Sequence, residues 1–186
     1  MRFYPAHRPA AKKILEKLEI LTDPNDVTEM MLIAVSGAGK TSTIFQVARD
    51  VFTIYIPCTP GAVYQQETRH ARDKSGSFVF LENAVNRTVP GKKSSEEKTA
   101  EAKRLSIVFF VANLFSLFLF LKKFPSASPI QFLLFQLTKS EGRDVVEKIF
   151  TRLESLTLTA IQDVARGLRR ELLPLVKGIL PTFCLH

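Results

Sequence analysis

MLIAVSGAGKTSTIFQVARD, residues 31 to 50, sets a glycine-rich turn between an apolar run and a segment with helical spacing. Ala34-Val35-Ser36-Gly37-Ala38-Gly39-Lys40-Thr41 follows the phosphate-loop pattern, with alanine where the first glycine usually stands. Gly37 and Gly39 let the backbone turn its N–H groups inward with no side chain in the way. Lys40 brings a point charge to the β and γ phosphates, and the Thr41 hydroxyl is placed to hold Mg²⁺. A helix starting there directs the positive end of its dipole at the bound anion. Ser36, Gly37, Ala38, Gly39, Lys40, Thr41 and Ser42 are therefore the expected nucleotide-binding residues. A pattern this loose arises by chance in roughly one or two chains in a hundred of this length. The flanking elements carry the rest of the case.

Those elements have the right order. Residues 30 to 35 read as a buried strand, and Thr41 to Arg49 as a helix with Ile44, Val47 and Ala48 on one face. VFTIYIP, Val51 to Pro57, reads as a second strand. Strand, glycine turn, helix and strand make one half of an α/β nucleotide-binding unit. The fold class expected is α/β, with a P-loop NTPase-like start. Residues 1–29 form a lead-in, in which Pro9 opens a helix carrying Ile14, Leu15 and Leu18 on one face before TDPND breaks it. Residues 30–186 form the NTPase-like domain, expected to be an incomplete one that stops where a further strand begins at PTFCLH.

The second half, 94–180, reads as helical. Ser94 with Glu97 matches a capping box ahead of a segment ending near Lys123. Ser128, Pro129 and Gln131 mark another start before IQFLLFQL. Val145, Val146, Ile149, Phe150 and Leu153 form an amphipathic stripe, repeated by Leu158, Ile161, Val164, Ala165 and Leu168 until Pro174 interrupts. Between Cys58 and Lys93 the pattern fades, with SFVFL as a short strand candidate and TVPGKKSS as a loop.

Hydrolysis asks for more than a phosphate cradle. It needs a carboxylate for the metal and a group that orients water. FVFLENA offers Glu82 after four apolar residues, a weak candidate because a connecting loop fits there equally well. Asp144 and Asp163 sit on helical patterns and read as exposed or capping residues. Whether the chain is an ATPase stays open on the sequence. ATP with Mg²⁺ is the expected ligand, and no guanine-specific Asn-Lys-x-Asp is present.

IAVSGAGKTSTIFQVAR followed by FTIYI resembles the phosphate loop and second strand of the Crinkler-type effector NTPases. AKRLSIVFFVANLFSLFLFLKKFP and then SPIQFLLFQL are similar to the paired hydrophobic helices of that group. The resemblance implies an ATPase-like module of a larger effector or signalling protein, with a targeting region before it and an effector domain after it. It carries over Gly37, Gly39, Lys40 and Thr41 as site residues. It also implies an intracellular, host-delivered or nuclear setting, and a protein partner or effector domain outside this chain.

Composition narrows the alternatives. The chain has 186 residues, 46% hydrophobic, enough for one domain with a substantial core. A formal charge of +8 favours polyanions without choosing among them. Cys58 and Cys184 are too few for a disulfide framework. MRFYPAHRPAAKK lacks the long apolar stretch of a secretory signal. RHARDK, GKK and RGLRRE are interrupted by acids and lack interleaved aromatics, so solvated faces explain them better than specific nucleic-acid binding. Leu105 to Leu121 carries no charge and spans about 25 Å as a helix, at the lower limit for crossing a bilayer of roughly 30 Å. Asn113 at its centre would need a partner in lipid. A buried central helix is the favoured reading. The alternative is a small membrane-anchored protein whose glycine turn is vestigial or binds without turnover.

Overall fold

The computed structural model describes residues 8–20, 40–56, 84, 94–138, 144–176 and 182–185. Along the chain these give helix α1 (Arg8–Ile20), helix α2 (Lys40–Val47) and strand β1 (Thr53–Ile56). Helices α3 (Ser95–Lys123), α4 (Pro129–Leu137), α5 (Asp144–Leu153) and α6 (Leu158–Leu175) follow, then strand β2 (Thr182–Leu185). The described residues are mostly helical, with β1 and β2 forming a two-stranded parallel sheet. Thr53 lies opposite Thr182 and Ile56 opposite Leu185. The expected strand at 30–35 and the SFVFL candidate lie outside the described residues.

α3 forms where its terminal signals say it should. Ser94 Oγ accepts from the Glu97 N–H at 3.2 Å, and Glu97 Oε2 accepts from the Ser94 N–H at 2.9 Å. Glu96 and Glu97 stand in the first turn and Lys122 and Lys123 in the last, matching the helix dipole at both ends. The Phe124 N–H donates to Phe120 O and closes the helix. At α4, Gln131 Oε1 accepts from the Ser128 N–H at 2.7 Å, and proline occupies the first helical position. In α6 the Ala160 N–H donates to Thr157 Oγ1.

Pro174 corrects one expectation. The helix continues through it to Leu175 instead of stopping. A proline lacks one N–H, yet Leu172 and Val176 are buried on either side, so packing holds the last turn in place. The Val176 N–H still reaches Leu172 O at 3.0 Å.

β1 is covered on both faces. Ile54 and Ile56 enter a large core with α3, α5 and α6, contributed by Leu105, Val108, Leu117, Phe150, Ile161 and Leu172 among others. Tyr55 turns to the opposite side and packs on a smaller cluster of Ile44, Phe45, Ala48 and Leu133 from α2 and α4. A strand apolar on both faces is the pattern of a parallel sheet between helical layers. α4 serves both layers, with Phe132 in the large core and Leu133 in the small one. α1 packs on α2, and along it Ala11 is buried and Ile14 and Leu15 are half-buried. The connection from β1 back to a parallel β2 runs through α3 to α6, as a parallel pair requires a long crossover.

α3 is the one helix among the described residues long and apolar enough to cross a membrane by length and composition. Just over half of its most apolar eighteen-residue stretch is buried inside the protein, chiefly against α5 and α6. Its apolar character on nearly every side follows from that central position. Asn113 is buried at its midpoint and donates from Nδ2 to Phe109 O of the preceding turn at 2.8 Å.

Candidate functional site

The nucleotide-binding residues expected from the sequence divide into two groups. Ser36, Gly37, Ala38 and Gly39 lie outside the described residues, as does Glu82. Lys40, Thr41 and Ser42 form the first turn of α2. Ser42 is half-buried, whereas the side chains of Lys40 and Thr41 lie outside the description. Ala84, two residues beyond the weak carboxylate candidate, is fully buried against the large core.

The direction of α2 follows from its far end. Its last turn closes through Ala48 N–H to Ile44 O and Val51 N–H to Val47 O, and the chain enters β1 two residues later. The Phe45 ring then meets the Tyr55 ring edge-on, with centroids 5.6 Å apart. Helix and strand therefore run back along each other. Lys40, about 7 Å further along the helix at 1.5 Å per residue, is carried toward the carboxyl end of β1. Since β2 is parallel and in register, its carboxyl end at Leu185 lies on the same edge of the sheet. In open α/β sheets this edge is where ligands bind.

A second polar feature secures β1 and was not anticipated from the sequence. Gln136 of α4 accepts from the Tyr55 N–H through Oε1 at 3.1 Å and donates from Nε2 to Thr53 O at 2.8 Å. One amide side chain thus imitates a neighbouring strand. Alternate residues of a strand direct their backbone groups to opposite edges, so Gln136 occupies the edge away from β2. Its signal in the sequence is weak, one polar residue near the end of a helix whose other polar side chain, Gln131, caps its start.

Arg104, just ahead of the apolar run of α3, makes a second polar anchor. Its Nε and Nη2 donate to both carboxylate oxygens of Glu101 at 2.9 and 2.7 Å. Its Nη1 reaches Glu154 O and Leu156 O at 3.0 and 3.3 Å, tying α3 to the turn between α5 and α6. The hydrogen bond to Glu101 raises the Arg104 pKa above its ordinary value, against a smaller opposing effect of burial. RGLRRE lies on α6, where Arg166 pairs with Asp163 in solvent at 3.2 Å. Among the described residues no group of three His, Cys, Asp or Glu side chains is placed to hold a metal.

No protein family, curated protein or solved structure matches the chain.

Proposed function

We propose that the chain binds a nucleoside triphosphate, ATP with Mg²⁺, through a phosphate loop at 34–41, within an α/β P-loop sheet. The observation that carries this reading is the placement of α2. The described helix runs from Lys40, the residue where a phosphate loop would hand over to its helix, and its direction relative to β1 aims that end at the carboxyl edge of two parallel strands. The positive end of its dipole favours an anion there. Gln136 closes one edge of β1, so the strand expected at 30–35 has the far edge of β2 to join. That arrangement would bring the loop to the same end of the sheet. In this reading Thr41 supplies the metal's hydroxyl ligand, and the domain is the NTPase module of a larger effector-like or signalling protein. The burial of α3 against α5 and α6 favours this over a protein anchored by that helix.

Titration calorimetry with Mg²⁺-ATP on the wild type and on Lys40→Ala tests the assignment. Heat should be released on binding to the wild type and vanish in the variant, with thermal unfolding unchanged. Equal affinities in the two proteins would remove the phosphate loop from consideration.

A further inference from the structure

Where α3 hands over to α4, the surface is apolar and basic at once. A groove of about 630 Å³ opens there, lined by Phe120, Phe124, Leu134 and Phe135, with Lys123 and Gln131 also in its wall. Two of these side chains are unusually bare for their size, Phe124 at 47% exposure and Leu134 at 53%. Leu119, one turn before Lys123, adds a third at 42%.

The stretch of sequence that builds this corner is basic. Between Glu101 and Glu141 the sequence has no acidic residue, while Lys103, Arg104, Lys122, Lys123 and Lys139 fall within it. Arg104 is engaged by Glu101 at the far end of α3. Lys122 and Lys123 are exposed, and their ammonium groups sit over aromatic rings, 5.5 Å from Phe118 and 5.4 Å from Phe124. The rings hold the cations beside the apolar surface instead of letting them extend away from it. A folded surface that gathers exposed Phe and Leu with lysines is suited to a boundary that is apolar inside and anionic outside. An acidic peptide would share the charge. The bilayer is favoured because Leu119, Phe124 and Leu134 present bare aliphatic and aromatic bulk beside two lysines held over rings.

We propose that the α3–α4 corner docks on the surface of an anionic lipid bilayer. Phe124 and Leu134 enter at headgroup depth, and Lys122 and Lys123 meet the lipid phosphates and carboxylates. α3 stays packed in the core and does not span the membrane. This mode is peripheral and separate from the nucleotide reading, since it uses the end of α3 and the outer side of α4.

Co-sedimentation with vesicles tests it, using phosphatidylcholine alone and phosphatidylcholine mixed with phosphatidylserine. The full chain should sediment with the mixed vesicles and stay in solution with the neutral ones. Each lysine beside an anionic surface contributes about a fivefold gain in affinity, so reversing both in Lys122→Glu/Lys123→Glu should weaken binding about 25-fold or more. Leu134→Ser, at an exposed position that leaves the core alone, should weaken it about tenfold at an unchanged unfolding temperature. Alkaline carbonate should release the bound protein. Equal sedimentation with both vesicle types, no sedimentation, or wild-type binding by both variants would overturn the proposal. So would resistance to carbonate, which marks a span, or Leu134-dependent self-association without lipid, which assigns the groove to a second copy of the chain.

Discussion

Gln136 shows how much one side chain can carry when it replaces a strand. Thr53 is fully buried, and its carbonyl and the Tyr55 N–H have the two ends of the Gln136 amide as partners. Gln136→Leu keeps the bulk and removes both bonds, so two backbone groups lose their partners. At about 1–3 kcal/mol for a buried polar group left unmade, a loss near 2 kcal/mol is expected in urea unfolding. Gln136→Glu separates acceptor from donor. Its carboxylate can still accept from Tyr55 but faces the Thr53 carbonyl with a second lone pair, whereas the protonated acid can do both. Protonation is thus favoured in the folded state, which raises the folded pKa above the ordinary value of about 4.3. The variant should approach wild-type stability below pH 4 and lose that ground as pH rises through the folded pKa. A pH-independent deficit would mean that the amide only fills space. Neither role was legible in the sequence, because the second glutamine of IQFLLFQL looks the same whether it faces water or a strand edge.

At the scale of the element, α3 is the helix whose sequence was most informative and most ambiguous. Its start was legible in the capping box of Ser94 and Glu97, a local signal that needs no tertiary context, and its end was legible to near Lys123. Its environment was not, because a central core helix and a short membrane span share one composition. Packing on α5 and α6 distinguishes them, and those contacts join residues far apart in sequence, such as Phe109 with Phe150 and Arg104 with Leu156. Adjacent positions in α3 should respond in opposite directions. Leu117 is fully buried, so Leu117→Ala should cost about 2–5 kcal/mol through lost burial and the cavity left behind. Ser116 is also buried, and its Oγ has no hydrogen-bond partner among the described residues. Ser116→Ala removes a hydroxyl that already bears a desolvation cost, and should be neutral or stabilising by up to about 1 kcal/mol. Chemical denaturation of the two variants measures both. A destabilisation of Ser116→Ala beyond about 1 kcal/mol would reveal a hydrogen bond that the described residues do not supply.

At the scale of the whole molecule, the helical half and the helix–turn–strand unit of α2 and β1 were legible because their signals are local and periodic. The pairing of β1 with β2 was not, since Thr53 and Thr182 meet across most of the chain and nothing in PTFCLH names its partner. That pairing matters for turnover. A metal-holding carboxylate is expected at the carboxyl end of a strand, beside the phosphate loop. β1 runs out at Ile56 into Pro57 and Cys58, neither of them acidic. Glu82 is the remaining candidate from the sequence, and two residues beyond it Ala84 is committed to the core. Lys40 and Thr41 would then supply a ground-state cradle without the groups that neutralise charge and orient water at the γ phosphate. Each missing electrostatic contact costs on the order of 100-fold or more in rate. This chain should therefore bind Mg²⁺-ATP yet release phosphate near background at saturating nucleotide. The measurement is steady-state phosphate release by the wild type, Lys40→Ala and Glu82→Gln. Turnover of about one per second that disappears in Glu82→Gln would refute the expectation and make Glu82 the metal's carboxylate. Release at the same trace level in all three is the result expected of a nucleotide-binding module whose chemistry needs a group from outside this chain.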